Sequence, residues 1–189
     1  MTGNEETNCA LLKARLVDDL FQWLLMALED EGELEKTVII GITDHYTYGY
    51  KNEKSLLELS GVEEKLLLEK TPCFIWSADL NPVTVDKPLN TADFLPTVLN
   101  LLGVETEYSY LGRDAFDETY EGYVLFSDGS WISDGVVCSV KASGKTTIIQ
   151  NKKDKQLTQE YMTEMAEKSQ QFIHVSNLLL ISDYYKNIR

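Results

Sequence analysis

The chain has 189 residues, enough for one domain of moderate size or one domain with a small appendage. Hydrophobic residues make up 43% and charged residues 25%, a globular composition that argues against disorder. Lys and Arg number 17 against 31 Asp and Glu, a formal net charge of −14. That sign argues against a nucleic-acid binder and against docking on anionic lipid, because both need a cationic surface. An anionic substrate then requires a metal or a local cationic pocket that reverses the field.

The run Leu24-Leu25-Met26-Ala27-Leu28 falls far short of the about 20 apolar residues of a membrane span. The acidic, polar start Met1-Thr-Gly-Asn-Glu-Glu does not read as a secretory signal, so the expectation is a soluble chain with no anchor. Cys9, Cys73 and Cys138 are too far apart for a zinc knuckle and odd in number, so Cys73 and Cys138 are expected as buried free thiols.

From about Cys9 to Glu31, apolar residues at Leu12, Leu16, Leu20, Trp23 and Ala27 predict a helix with a wide apolar face, stopped at Gly32. Thr37 to Thr43 is a continuous β-branched run, which suits a strand covered on both faces in a parallel sheet. It ends at Asp44-His45-Tyr46, the start of a loop with tyrosines at 46, 48 and 50. Leu56, Leu57, Leu59 and Leu66, Leu67, Leu68 predict two short helices broken near Ser60-Gly61, and Pro72 to Ser77 a second buried strand. Ala92 to Leu102 reads as a helix with Pro96 in its first turn and Gly103 closing it.

After about Phe116 the character changes to short strands, at 122–126, 130–133, 136–140 and 146–149. Ser127-Asp-Gly129, Asp134-Gly135 and Ser143-Gly144 between them are hairpin signals, so this is an antiparallel meander of four strands. A final helical segment from about Leu157 to Tyr185 offers Met162, Met165, Phe172, Val175, Leu179 and Ile181 as its buried face.

Asp44 and His45 are the most informative pair. Sites in open α/β sheets form beyond the carboxyl ends of strands, and a carboxylate beside an imidazole is a good donor set for Zn²⁺ or Mn²⁺. Neighbours on a strand point to opposite faces, so both reach one ion only if the chain turns here. The alternative is a polar strand end whose aspartate caps a loop.

The surroundings carry a resemblance. Glu33-Leu-Glu-Lys-Thr-Val-Ile-Ile-Gly-Ile-Thr-Asp-His-Tyr46 resembles the strand ending in Asp-His of the sulfatase branch of the alkaline phosphatase superfamily. Pro72-Cys-Phe-Ile-Trp76, Thr91-Ala-Asp-Phe-Leu-Pro-Thr-Val-Leu-Asn-Leu-Leu-Gly-Val104 and Leu111-Gly-Arg-Asp-Ala-Phe116 resemble later segments of that family, in the same order. The Asp-His-Tyr form and the stretch Gly122 to Asp134 are similar to the lipoteichoic acid synthase, or phosphoglycerol transferase, type.

The resemblance implies an α/β fold, the C-terminal portion of an alkaline phosphatase-like α/β/α sandwich over 1–118. Over 119–189 it leaves a small antiparallel subdomain with a long helix. It implies one divalent ion, usually manganese with zinc or magnesium as alternatives, held in part by Asp44 and His45. It also implies an anionic phosphate- or sulfate-ester substrate and work on the outer face of a bacterial membrane. In that family the acidic ligand and the threonine nucleophile lie upstream of the segment matched here, and the 43 residues before Asp44 do not hold them. The expectation is therefore a fragment that binds metal weakly or not at all and is inactive alone, with Thr43 and Thr47 not the nucleophile. Loss of sheet neighbours at 37–43 predicts self-association or a helix folded over the gap. The alternative is a non-enzymatic interaction module with a vestigial metal site.

His174 is expected as a packed or surface histidine. Asp93 reads as a helix-capping residue, Asp114 and Asp117 as loop acids, and Arg113 as half of a structural ion pair.

Overall fold

A computed structural model describes residues 2–47 and 49–187. The fold is mixed helix and sheet, in two compact units, Met1–Val83 and Thr84–Arg189.

In the first unit, α1 spans Glu5–Asp30. Asn4 caps it by accepting from the Thr7 amide, and Glu5 and Glu6 in the first turn oppose the positive end of the helix dipole. Gly32, at φ +70°, turns the chain out of the helix. A 3₁₀ turn at Leu34–Lys36 leads into β1, Val38–Ile42. Asn52 caps α2, Glu53–Ser60, which ends at Gly61 in the left-handed region. The second leucine cluster forms a 3₁₀ helix, Lys65–Glu69, before β2, Cys73–Ser77.

β1 and β2 pair antiparallel, with Val38 opposite Ser77 and Ile42 opposite Cys73. This corrects the expectation of a strand in a parallel sheet covered on both faces. Only one face meets α1, and only in part: Ile39, Gly41, Phe74 and Trp76 share it, and the Phe21 ring of α1 meets Phe74 edge-on at 5.1 Å while Phe74 stays 41% exposed. On the other face Val38, Ile40 and Ile42 are exposed, and so is Cys73, contrary to the buried thiol expected there. Gly41 lies directly under Phe74, where a Cβ would stand 2.2 Å from the ring.

The face of α1 is also corrected. Leu12, Leu16, Leu20 and Trp23 are exposed, Trp23 at 65%. The sheet is met from the opposite side, by Phe21 and Leu25. The helix is apolar on two sides, and its large aromatic at 21 fits over Gly41 and Phe74 where the leucine stripe has no partner.

In the second unit, Asn90 and Asp93 form a reciprocal capping box over a 3₁₀ turn, Thr91–Asp93, that runs into α3, Phe94–Leu101. The box satisfies the Asn90 and Ala92 amides, and Pro96 in the first turn of α3 has no amide hydrogen to satisfy. The meander follows in the order β3-β4-β5-β6, with β3 Val124–Leu125, β4 Trp131–Ser133, β5 Val136–Val140 and β6 Thr146–Asn151. Asp134 and Gly135, at φ 46° and 79°, make the two-residue connection between β4 and β5 that matches strand twist. Gly129 and Gly144 close the other two hairpins in the left-handed region, each donating to the carbonyl three residues back.

The meander carries the core: Tyr120, Tyr123, Trp131, Val136 and Cys138, with Met165 from α4, Gln159–Ile181. Val136 and Cys138 are fully buried, as expected for the latter thiol. Phe172 closes edge-on over Tyr123. The buried face of α4 ends there: Val175 and Ile181, expected inside, are exposed, Ile181 at 84%, because the four short strands are too small to cover 23 helical residues. A last short helix, α5, covers Tyr184–Asn187.

Candidate metal half-site

Asp44 and His45 follow directly on β1. The Thr43 hydroxyl donates to the Pro72 carbonyl at 3.1 Å, tying the end of β1 to the chain entering β2. On the far side of the turn, Lys51 and Asn52 amides donate to the Glu6 carboxylate at 3.0 and 3.3 Å. The Tyr50 hydroxyl donates to Thr7 Oγ1 at 2.8 Å. The loop that carries the pair is thus pinned at one end to β2 and at the other to the first turn of α1.

The chain bends at 44–45, so the two side chains do not diverge as strand neighbours do. The His45 amide donates to Asp44 Oδ1 at 2.9 Å, and His45 Nε2 lies 3.2 Å from Asp44 Oδ2. His45 Nδ1 stands 2.7 Å from the Tyr46 carbonyl. A carbonyl only accepts, so Nδ1 carries a hydrogen in this arrangement and Nε2 is the atom that faces the carboxylate. A backbone carbonyl on one ring nitrogen is the usual way a histidine ligand is oriented.

Two donors bound about 2.0–2.2 Å from one ion lie roughly 3.0–3.4 Å apart, between octahedral and tetrahedral angles. The 3.2 Å spacing of Oδ2 and Nε2 matches that bite and equally matches a direct ion pair between the two side chains. Exposure is high, 83% for the Asp44 side chain and 48% for His45, so an ion is open to water here. Among the described residues no group of three His, Cys, Asp or Glu is placed to hold a metal. Asp44 and His45 are thus two donors of types that a divalent ion accepts, with no third beside them among the described residues.

The other sequence candidates fall elsewhere. Thr43 has its hydroxyl on Pro72, and Thr47 is exposed. Tyr50 packs toward α1, Tyr46 is half-buried, and Tyr48 lies outside the described residues. His174 is on the surface. Arg113 pairs with Asp117 and lies over the Tyr120 ring at 5.3 Å, a structural role as expected. A groove of ≈ 250 Å³ between α1 and the sheet is lined by Asp18, Phe21, Leu25, Ile39, Phe74 and Trp76, and neither Asp44 nor His45 reaches it.

Asp93 does more than cap. Its carboxylate, 1% exposed, accepts from the Asn90 amide at 2.9 Å, the Arg113 amide at 2.8 Å and the Tyr120 hydroxyl at 3.0 Å. Only the first partner is local. The others are 20 and 27 residues away, beyond the reach of any spacing argument.

Comparison with known proteins meets these observations at the same segments. The chain is 28% identical over 126 residues to lipoteichoic acid synthase 2 of Bacillus subtilis (strain 168), which covers 64% of this chain and 19% of that protein. It is 28% identical over 146 residues to lipoteichoic acid synthase of Staphylococcus saprophyticus, covering 70% of this chain and 21% of the relative. Against lipoteichoic acid synthase of Staphylococcus aureus (strain COL) it is 24% identical over 139 residues, with the same shares covered. The chain spans about a fifth of the length of these relatives. No solved structure matches it. The sulfatase family model matches residues 2–104, which hold β1, the Asp44-His45 bend, β2 and the Asp93 capping box, and the chain therefore belongs to the sulfatase family.

Proposed function

We propose that this chain carries the Asp-His half of the divalent-metal site of a sulfatase-type phosphoglycerol transferase or hydrolase acting on phosphate or sulfate esters. The observation that carries the reading is the convergence of Asp44 Oδ2 and His45 Nε2 at 3.2 Å, in a bend immediately after β1 and inside the segment that matches the family. Asp44 supplies a hard anionic oxygen, and His45 an imidazole nitrogen whose ring is oriented by the Tyr46 carbonyl. A bound Mn²⁺ or Zn²⁺ supplies Lewis acidity and neutralises ester charge, which a chain of net charge −14 otherwise repels.

Two protein donors hold an ion more weakly than the three or four of a complete site. Among the described residues the Thr43 hydroxyl beside the pair is engaged on the Pro72 carbonyl, and the chain alone is proposed to turn over no ester. In the complete enzyme the proposed setting is the outer face of a bacterial membrane. Among the described residues no helix is long and apolar enough to cross one.

Calorimetric titration of Mn²⁺ and Zn²⁺ into the whole chain, beside Asp44→Ala/His45→Ala, tests the reading. Weak 1:1 binding that the double variant abolishes supports it. Equal binding by both proteins contradicts it. A second reading, an interaction module with a vestigial site, draws on the 83% exposure of Asp44 and on the uncovered leucine stripe of α1. It predicts no binding by either protein.

A further inference from the structure

The hairpin of β5 and β6 reverses the sign of the chain. Residues 141–155 hold five lysines, at 141, 145, 152, 153 and 155, against one acid, Asp154, a local net charge of +4 within a total of −14. Lys153 and Lys155 are paired with Asp134. The tip of the hairpin is different. Lys141 and Lys145 flank the turn Ala142-Ser-Gly144, with the Lys141 amide donating to the Lys145 carbonyl at 2.9 Å. They stand opposite each other across the strand pair, one step beyond Val140 and Thr146. Like charges so placed destabilise a hairpin. Among the described residues neither ammonium group has a carboxylate partner. The neighbouring turn carries Asp128, whose carboxylate accepts from the Ser130 amide at 2.8 Å and pairs with neither.

Alternation fixes the face that the two lysines occupy. Cys138 and its partner Ile148 belong to the core, so the next pair, Ser139 and Thr147, lies on the opposite face, and so do Lys141 and Lys145. Lys141, Lys145 and Thr147 are exposed. The Ser139 and Thr147 hydroxyls have no hydrogen-bond partner among the described residues. One face of the tip thus presents two ammonium groups and two hydroxyls, every one able to donate.

We propose that Lys141, Lys145, Ser139 and Thr147 bind a phosphate group in its dianionic form, as free phosphate or as a phosphomonoester. Two ammonium groups balance a charge of about −2, and a lysine meets phosphate as a point charge. An anion between them turns the repulsion of the pair into two attractions. The tip is the local cationic patch that an anionic ligand needs on a chain of this sign. The proposal is independent of the metal reading, because its residues all lie in the second unit and include neither Asp44 nor His45.

The test is a titration of inorganic phosphate, then of glycerol 3-phosphate, into the whole ¹⁵N-labelled chain. It is run in metal-free buffer at about 150 mM sodium chloride, where distant charges are largely screened. Both anions are expected to shift amides 139–147 saturably. Lys141→Gln and Lys145→Gln each raise the dissociation constant about tenfold, and the double variant abolishes the shifts. Lys152→Gln, at the far end of the same hairpin, leaves the constant unchanged. All three lysines are exposed, so the variants keep the fold, which the remaining amides verify. Vesicles of phosphatidylcholine doped with phosphatidic acid present the same group on a lipid. Co-sedimentation lost in the double variant assigns the site to a headgroup, and its absence beside bound soluble phosphate assigns the site to a soluble ligand. No saturable shift at 139–147 overturns the proposal. So does an equal weakening by Lys152→Gln, which means that bulk charge alone attracts the anion.

Discussion

The Tyr120 hydroxyl donates to the buried Asp93 carboxylate at 3.0 Å and accepts from the Tyr123 amide at 3.1 Å, joining the capping turn before α3 to the entrance of the meander. With the Asn90 and Arg113 amides also on Asp93, three donors depend on one carboxylate. Asp93→Ala leaves all three without it, and we expect a loss of about 3–5 kcal/mol in urea unfolding. Tyr120→Phe removes one bond and is expected to cost about 1–2 kcal/mol.

The Tyr120 phenol is pushed above its ordinary range, by burial first and by the neighbouring Asp93 charge second. A raised folded-state value means this contribution is fully present below about pH 10 and fades as pH rises beyond it. The stability difference between the parent and Tyr120→Phe should hold from pH 6 to 9. A difference that disappears by pH 8 contradicts the assignment.

Asp134 behaves in the opposite sense. Its carboxylate lies in the β4–β5 turn between the ammonium groups of Lys153 and Lys155, whose hydrogen bonds hold it below the usual carboxylate range. The stabilisation is present above about pH 4, the unfolded value, and is lost as pH falls through the lower folded value. Asn tolerates the positive φ of this position, so Asp134→Asn removes the charge without straining the turn. We expect a cost of about 1 kcal/mol at pH 7, reduced because Lys153 is largely exposed, and convergence of the two urea midpoints toward pH 2.

Two glycines should respond differently to the same methyl group. At Gly41 an added Cβ meets the rim of the Phe74 ring, a side chain that can swing. At Gly112 it meets the Ala92 carbonyl at 2.1 Å, backbone held by the capping turn. Gly41→Ala is expected to cost about 1–2 kcal/mol and to change the near-UV aromatic signal as Phe74 leaves Phe21. Gly112→Ala should cost more, about 3 kcal/mol or above, with that signal intact. The reverse order contradicts these contacts.

Local signals in the sequence were legible where the physics is local. Asp134-Gly135, Gly129 and Gly144 mark the hairpins because their backbones need positive φ, and Asn90 to Asp93 marks a helix start because both side chains bond neighbouring amides. The faces of α1 were misread for a different reason. Leucines at 12, 16 and 20 have better spacing than Phe21 and Leu25, but what chooses the buried face is the Gly41–Phe74 surface, a tertiary feature. Pairing of β1 with β2 was equally hidden, since a β-branched run suits parallel and antiparallel ladders alike. Asp44 and His45 were visible as two donors after a strand. Its convergence depends on the bend and on the Tyr46 carbonyl, which spacing does not encode.

The central claim is that the metal-binding donors of this chain are Asp44 and His45, and the most direct measurement is paramagnetic line broadening by Mn²⁺ in ¹⁵N-labelled protein. With 31 acidic residues the chain offers many loose cation contacts, so location matters more than affinity. The account predicts that substoichiometric Mn²⁺ first broadens amides 43–47 and the His45 ring nitrogens, and that Asp44→Ala abolishes this broadening. Broadening that starts at the acidic end of α1, around Glu29 to Glu31, or that is indifferent to Asp44→Ala, would contradict it.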